Sequence, residues 1–128
     1  RHCFRVLRRL CLSHPGLPSL LEQDGAAPAG VFTPMEVTLR ALGAGGLNEL
    51  DSTRTYFLLI SFTLGQAAYQ TRGPVEGLEP SERIRAERIA GRGYTATERL
   101  DLPSTWDFEA SFEFGLALIL AGIEAMAS

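Results

Sequence analysis

With 128 residues, the chain has room for one domain with a sizeable core and not for separate reading and sensing modules. Apolar residues make up 45% and charged residues 21%, scattered rather than blocked, which is the composition of a folded protein and excludes a disordered one. The net charge of −3 excludes the positive field that supplies most nucleic-acid affinity, so the chain by itself is not expected to bind DNA.

Apolar residues recur at helical spacing and strand-like alternation is nowhere sustained, which predicts an all-α fold of five or six helices. The first runs from the start to about Ser13, with Phe4, Leu7 and Cys11 on one stripe, Cys3, Val6 and Leu10 beside it, and arginines on the remaining face. Pro15 and Gly16 stop it. Leu17 to Gln23 gives at most a short second helix, because Asp24 to Gly30 is a linker of Gly, Ala and Pro. Thr33, Pro34 and Glu36 then make a helix start: a Thr N-cap, Pro at the first position and Glu at the third. That helix carries Met35, Thr38, Leu39 and Leu42 on one side and ends at Gly43, Gly45 and Gly46.

Asp51 or Ser52 is the next expected cap, opening a segment from Thr53 to Thr71 with no charged side chain between Arg54 and Arg72. Gly73 and Pro74 close it. Val75 to Pro103 is polar, with one weaker helix expected from about Ser81 to Ala90. There Glu82, Glu87 and Glu98 interleave with Arg83, Arg85, Arg88, Arg92 and Arg99 and predict a solvated face. The last helix starts near Ser104 or Asp107 and runs to the end. It sets Phe112, Gly115, Ile119, Gly122 and Met126 on one face and Phe114, Leu118 and Ala121 on another. A helix apolar on two faces must be covered on both, and so short a chain has few helices to cover it. A partner subunit is the economical cover.

Several chemistries lack a footing. Cys3 and Cys11 stand eight residues apart on one predicted helix, about 12 Å and beyond disulfide reach, and read as reduced thiols of a cytoplasmic protein. With only His2 and His14 and no clustered spacing, no metal site and no cofactor are expected. His14 before Pro15 reads as a helix-terminus residue. No catalytic Ser-His-Asp set or phosphate loop is present, so an enzyme is not expected. No signal-peptide pattern is expected at the N-terminus. The apolar stretches Thr55 to Tyr69 and Phe114 to Ile123 fall short of the roughly 18 to 20 residues of a membrane span. All twelve basic residues are arginine, a bias of GC-rich bacterial genomes.

Three runs carry a resemblance. Leu10-Cys11-Leu12-Ser13-His14-Pro15, Ser61-Phe62-Thr63-Leu64-Gly65, and the closing stretch from Phe112-Glu113-Phe114-Gly115-Leu116 through Ile119, Gly122 and Ile123 to Glu124 resemble the C-terminal domain of TetR-family transcriptional repressors. Order and spacing agree over nearly the whole chain, the closing run being the most specific. The resemblance implies an all-α effector-binding domain whose uncharged helix and final helix pair with their copies in a four-helix dimer interface. Gly65, Phe114, Gly115, Leu118, Ile119, Gly122, Ile123 and Met126 would build it. It also implies a bacterial one-component repressor in which effector binding relieves operator binding by an N-terminal helix-turn-helix domain, a part not expected within these 128 residues.

The implied pocket lies between the first helix, the Thr33 helix and the uncharged helix. Cys3, Leu7, Leu21, Met35, Thr38, Leu39, Phe57, Ile60 and Leu64 would line it, with Tyr69 contributed across the dimer. Apolar walls with few polar groups suit a small hydrophobic or aromatic effector. Leu21 stands where family members that take a metal–tetracycline complex carry a histidine, Tyr69 where they carry a partner glutamate, and Cys3 where they carry an asparagine. These departures speak against tetracycline itself. The alternative is a structural dimerisation module with a filled core and no ligand.

Overall fold

The computed structural model describes residues 1–17, 32–72, 87–99 and 107–127. Among the described residues the elements are five α-helices and there is no strand, as the periodicity predicts. They are α1 (His2–Ser13), α2 (Phe32–Ala44), α3 (Glu49–Arg72), α4 (Thr95–Glu98) and α5 (Phe108–Ala127). Leu21, the expected linker from Asp24 to Gly30, Ser104 and most of the expected Ser81–Ala90 helix lie outside the described residues. By contacts the chain divides into two compact units, Arg1–Thr71 with Phe108–Ser128, and Arg72–Asp107.

In the first unit, α1 ends as its sequence predicts, with the His14 N–H donating to the Leu10 carbonyl at 2.9 Å. α2 begins at Phe32, ahead of the expected cap Thr33. Glu36, the expected capping partner, accepts instead from Arg40 Nε at 2.6 Å, one turn along. The helix ends at the predicted glycines in a Schellman turn: Gly46 donates to the Gly43 carbonyl (3.0 Å) and Leu47 to the Leu42 carbonyl (3.2 Å). Gly46 has φ 102°, a conformation that favours glycine. Leu42 and Leu47 are both buried and supply the apolar contact that accompanies such a turn.

The expected caps Asp51 and Ser52 lie within the first turn of α3. Asn48 caps it, its Oδ1 accepting from the Asp51 N–H at 2.9 Å while its Nδ2 donates to Asp51 Oδ2 at 2.8 Å. One face of α3 is buried: Ser52, Thr55, Tyr56, Leu59, Thr63 and Ala67. Thr63 Oγ1 donates to the Leu59 carbonyl at 2.8 Å within the helix, and Ser52 Oγ to the Leu47 carbonyl just before it at 3.5 Å. The core cluster is Phe4 of α1, Leu59 of α3, and Phe112 and Leu116 of α5, with Ile60, Phe62, Ile119, Leu120 and Ile123 packed against it.

α3 and α5 run antiparallel. Tyr69 meets Phe108 edge-on at 5.9 Å at one end, and Phe62 stacks on Phe112 at 5.4 Å further along. At the other end, the backbone of Ala127 closes over Gly46. The expectation that the apolar stretches are too short for a membrane span fails for α5. Within its 20 residues an 18-residue window with a mean hydropathy of 1.6 reaches that length and composition. The helix instead buries Phe112 and Leu116 in this unit's core.

In the second unit, Gly91 and Gly93 take φ 69° and 84°, and the Gly91 N–H donates to Glu98 Oε1 at 2.8 Å.

Candidate effector site and dimer face

The pocket is expected at the junction of α1, α2 and α3, where Cys3, Thr38 and Tyr56 lie near one another. Cys3 Sγ lies 3.9 Å from Thr38 Oγ1, so α1 meets α2 at two residues assigned to the pocket. Tyr56 of α3 is buried, which pushes its phenol pKa up, and the nearby Cys3 thiol adds to the shift. Sequence reasoning named Phe57 instead, and Phe57 is 55% exposed. The signal for Tyr56 was its register: 56, 59, 60, 63 and 67 recur at helical spacing on the buried side, and 57 stands a step around the helix from 56.

The remaining assigned residues divide. Leu7 and Leu64 are half-buried, and Ile60 packs on the core. Met35 and Leu39 line a broad, solvent-open hollow of about 630 Å³ along α2, with Phe32, Thr33, Glu36, Val37 and Arg40. Tyr69 is engaged by Phe108 of its own chain. Leu21 lies outside the described residues.

A second constellation escaped the sequence reading, which set the α1 arginines only on the face left by the apolar stripes. Arg5 donates from Nε and Nη2 to the two carboxylate oxygens of Glu113, at 2.7 and 2.6 Å. This fork is the strong geometry for such a pair, and it holds the Glu113 carboxyl below its usual range. Arg8 is buried, donates to Glu109 and to Gln70 Oε1 (2.7 Å), and lies 5.0 Å over the Phe112 ring. Its Nε is buried with no hydrogen-bond partner. A buried guanidinium must be paired, and here α3 and α5 both supply a partner. The signal was Arg5 and Arg8, three apart, facing Glu109 and Glu113, four apart: two short ladders of opposite charge on different helices. The seam between them leaves a hollow of about 170 Å³ lined by Arg5, Arg8, Arg9, Glu109, Phe112 and Glu113.

The residues assigned to a dimer interface also divide. Phe114, Leu118 and Met126 are 68%, 59% and 59% exposed, and Gly122 is exposed with open space where a side chain would go. Ile119 and Ile123 pack against the chain's own core. Gly65 on α3 is exposed and equally open. Gly115 serves an internal contact, because an added Cβ would lie 2.5 Å from Phe62 Cζ. Ala110, Phe114, Ala117, Leu118, Ala121, Gly122 and Ala125 are exposed and form one uncharged strip down the outer side of α5.

The first unit is thus all-helical among its described residues, with an ion-pair seam anchored on the buried Arg8, an exposed apolar strip on α5 and a three-helix junction. The chain belongs to the tetracyclin repressor-like C-terminal domain family, whose model matches residues 1–127. No curated protein and no solved structure matches it. Family membership makes it a ligand-binding and dimerisation domain of a transcriptional regulator.

Proposed function

We propose that this chain senses a small hydrophobic or aromatic effector and forms the homodimer of a bacterial, cytoplasmic one-component repressor. Operator DNA is read by a helix-turn-helix domain outside these 128 residues, and effector binding releases it. Linkage sets the condition: the effector weakens operator binding only as far as it binds the released conformation more tightly.

The observation that carries the reading is the outer strip of α5. Phe114 and Leu118 are both more than half exposed on a helix whose opposite side buries Phe112 and Leu116 in the core. A contiguous apolar face of this kind is a partner site, and a second copy offers the same strip in return across a two-fold axis. Sedimentation of the wild-type chain as a dimer supports the reading, and a monomer at micromolar concentration rejects it.

The effector is assigned to the junction of Cys3, Thr38 and Tyr56, which offers two hydroxyls and a thiol and no charged side chain of its own. Such walls select a neutral ligand. In the full-length regulator, Tyr56→Ala is expected to weaken effector binding more than Phe57→Ala. Calorimetric titration with both affinities unchanged rejects the site. The filled-core alternative draws on one observation, the packing of Ile60 against the core cluster. A screen of small apolar compounds in which none raises the thermal midpoint favours that alternative.

A further inference from the structure

Among the described residues Arg8 is the one buried charged side chain, and it stands at the end of a continuous stack. Its guanidinium lies over the Phe112 ring at 5.0 Å. The Phe112 ring stacks on Phe62 at 5.4 Å, with planes 13° apart. Phe62 in turn fills the space a side chain on Gly115 would need, with ring atoms 2.5 and 2.7 Å from an added Cβ. The order Arg8, Phe112, Phe62, Gly115 passes from α1 through α5 to α3 and back to α5.

We propose that Arg8 is a positioning residue that sets the separation of α3 and α5 through this stack, and thereby shapes the face that receives the second copy. The proposal rests on the dimer reading above. The orientation of the guanidinium is fixed from two sides only, by Glu109 and by Gln70, since Nε has no partner. Close-packed rings transmit a displacement rather than absorb it. With no side chain on Gly115 to hold it, Phe62 takes its place from Phe112. Phe112 takes its cover from Arg8. Glu109 is 67% exposed while Arg8 is 5% exposed, so the tie that sets the stack can be released from the solvent side without opening the core.

The test uses the whole chain, with aromatic carbon-13 signals of Phe62 assigned from a Phe62→Leu variant and the dimer constant taken from sedimentation equilibrium. Glu109→Ala and Arg8→Met are each expected to shift the Phe62 signals and to weaken the dimer about tenfold, the size of coupling usual between touching groups. Gly115→Ala enters from the opposite end and should do the same, and its effect combined with Arg8→Met should fall short of the sum. Arg8 acting only on stability would lower the thermal midpoint while leaving Phe62 and the dimer constant of the folded protein as they were, which overturns the proposal. If Arg8→Met fails to fold, Glu109→Ala, which alters an exposed carboxylate, decides alone. A monomeric wild-type protein overturns the dimer reading instead, and the Phe62 signals still decide the stack.

Discussion

Phe112 and Phe114 stand two residues apart on α5, and the fold treats them oppositely: the first is 0% exposed and the second 68%. The inner side of the helix has the Arg8 guanidinium, the Phe62 ring and Leu59 against it, whereas on the outer side Phe114 and Leu118 are more than half exposed. Hydrophobicity alone therefore does not say which side of a greasy helix is a core and which is a docking face. Neighbouring polar ties do, because Glu109 and Glu113 fix the rotation of α5 by reaching the arginines of α1.

Substitutions can break this contrast. Phe112→Ala is expected to cost about 3–5 kcal/mol in urea unfolding, the range for emptying an aromatic core site. On the outer side, Gly122→Glu should keep the helical content by circular dichroism and turn a sedimenting dimer into monomers. An unaltered dimer would move the interface off this strip. Ile119→Glu is a poorer probe, since Ile119 packs on the core and its loss confuses folding with association.

The ion-pair seam sharpens the same contrast at smaller cost. Glu109→Ala leaves Arg8 buried with Gln70 as its remaining partner and is expected to cost about 1–2 kcal/mol, the usual penalty being discounted for the exposure of Glu109. Arg8→Met removes the buried charge itself and should cost less in the same unfolding assay, because no orphaned ion remains. The reverse order would show that Glu109 does not hold the guanidinium.

Acid provides a milder probe. Arg5 lowers the Glu113 pKa below 4.5, so the pair's contribution is fully present above that value and is lost as pH falls through the lower folded value. Thermal midpoints measured across this window should fall in the wild type and fall less in Glu113→Gln. The smallest effect is chemical: burial raises the Cys11 pKa, and Cys3 is exposed, so iodoacetamide should label Cys3 first by mass spectrometry.

Helices α1, α2, α3 and α5, the glycine stop at Gly46 and the greasy character of α3 and α5 were legible because each rests on local spacing, whereas the short α4 (Thr95–Glu98) was not expected. What escaped rests on rotation about a helix axis, which periodicity specifies only loosely. One step around α3 separates the buried Tyr56 from the exposed Phe57. Gly115 was assigned to a dimer contact on its missing side chain, yet a glycine in a sequence does not say from which side it is approached, and Phe62 of the same chain approaches it. Arg8 was invisible for a related reason. An arginine is read as solvated until its carboxylate and amide partners, 101 and 62 residues away, are brought beside it.

The hydroxyls of α3 have a mechanical consequence. Ser52, Thr53, Thr63 and Thr71 each donate to a backbone carbonyl of α3 or of the turn just before it, so none of these four ties the helix to a neighbour. At these four positions the helix is held to its neighbours by packing and not by a directional bond, so the fit of Leu59, Thr63 and Ala67 decides where it sits. Gln70 adds a directional tie, accepting from Arg8 and so pinning the C-terminal end of α3 to α1.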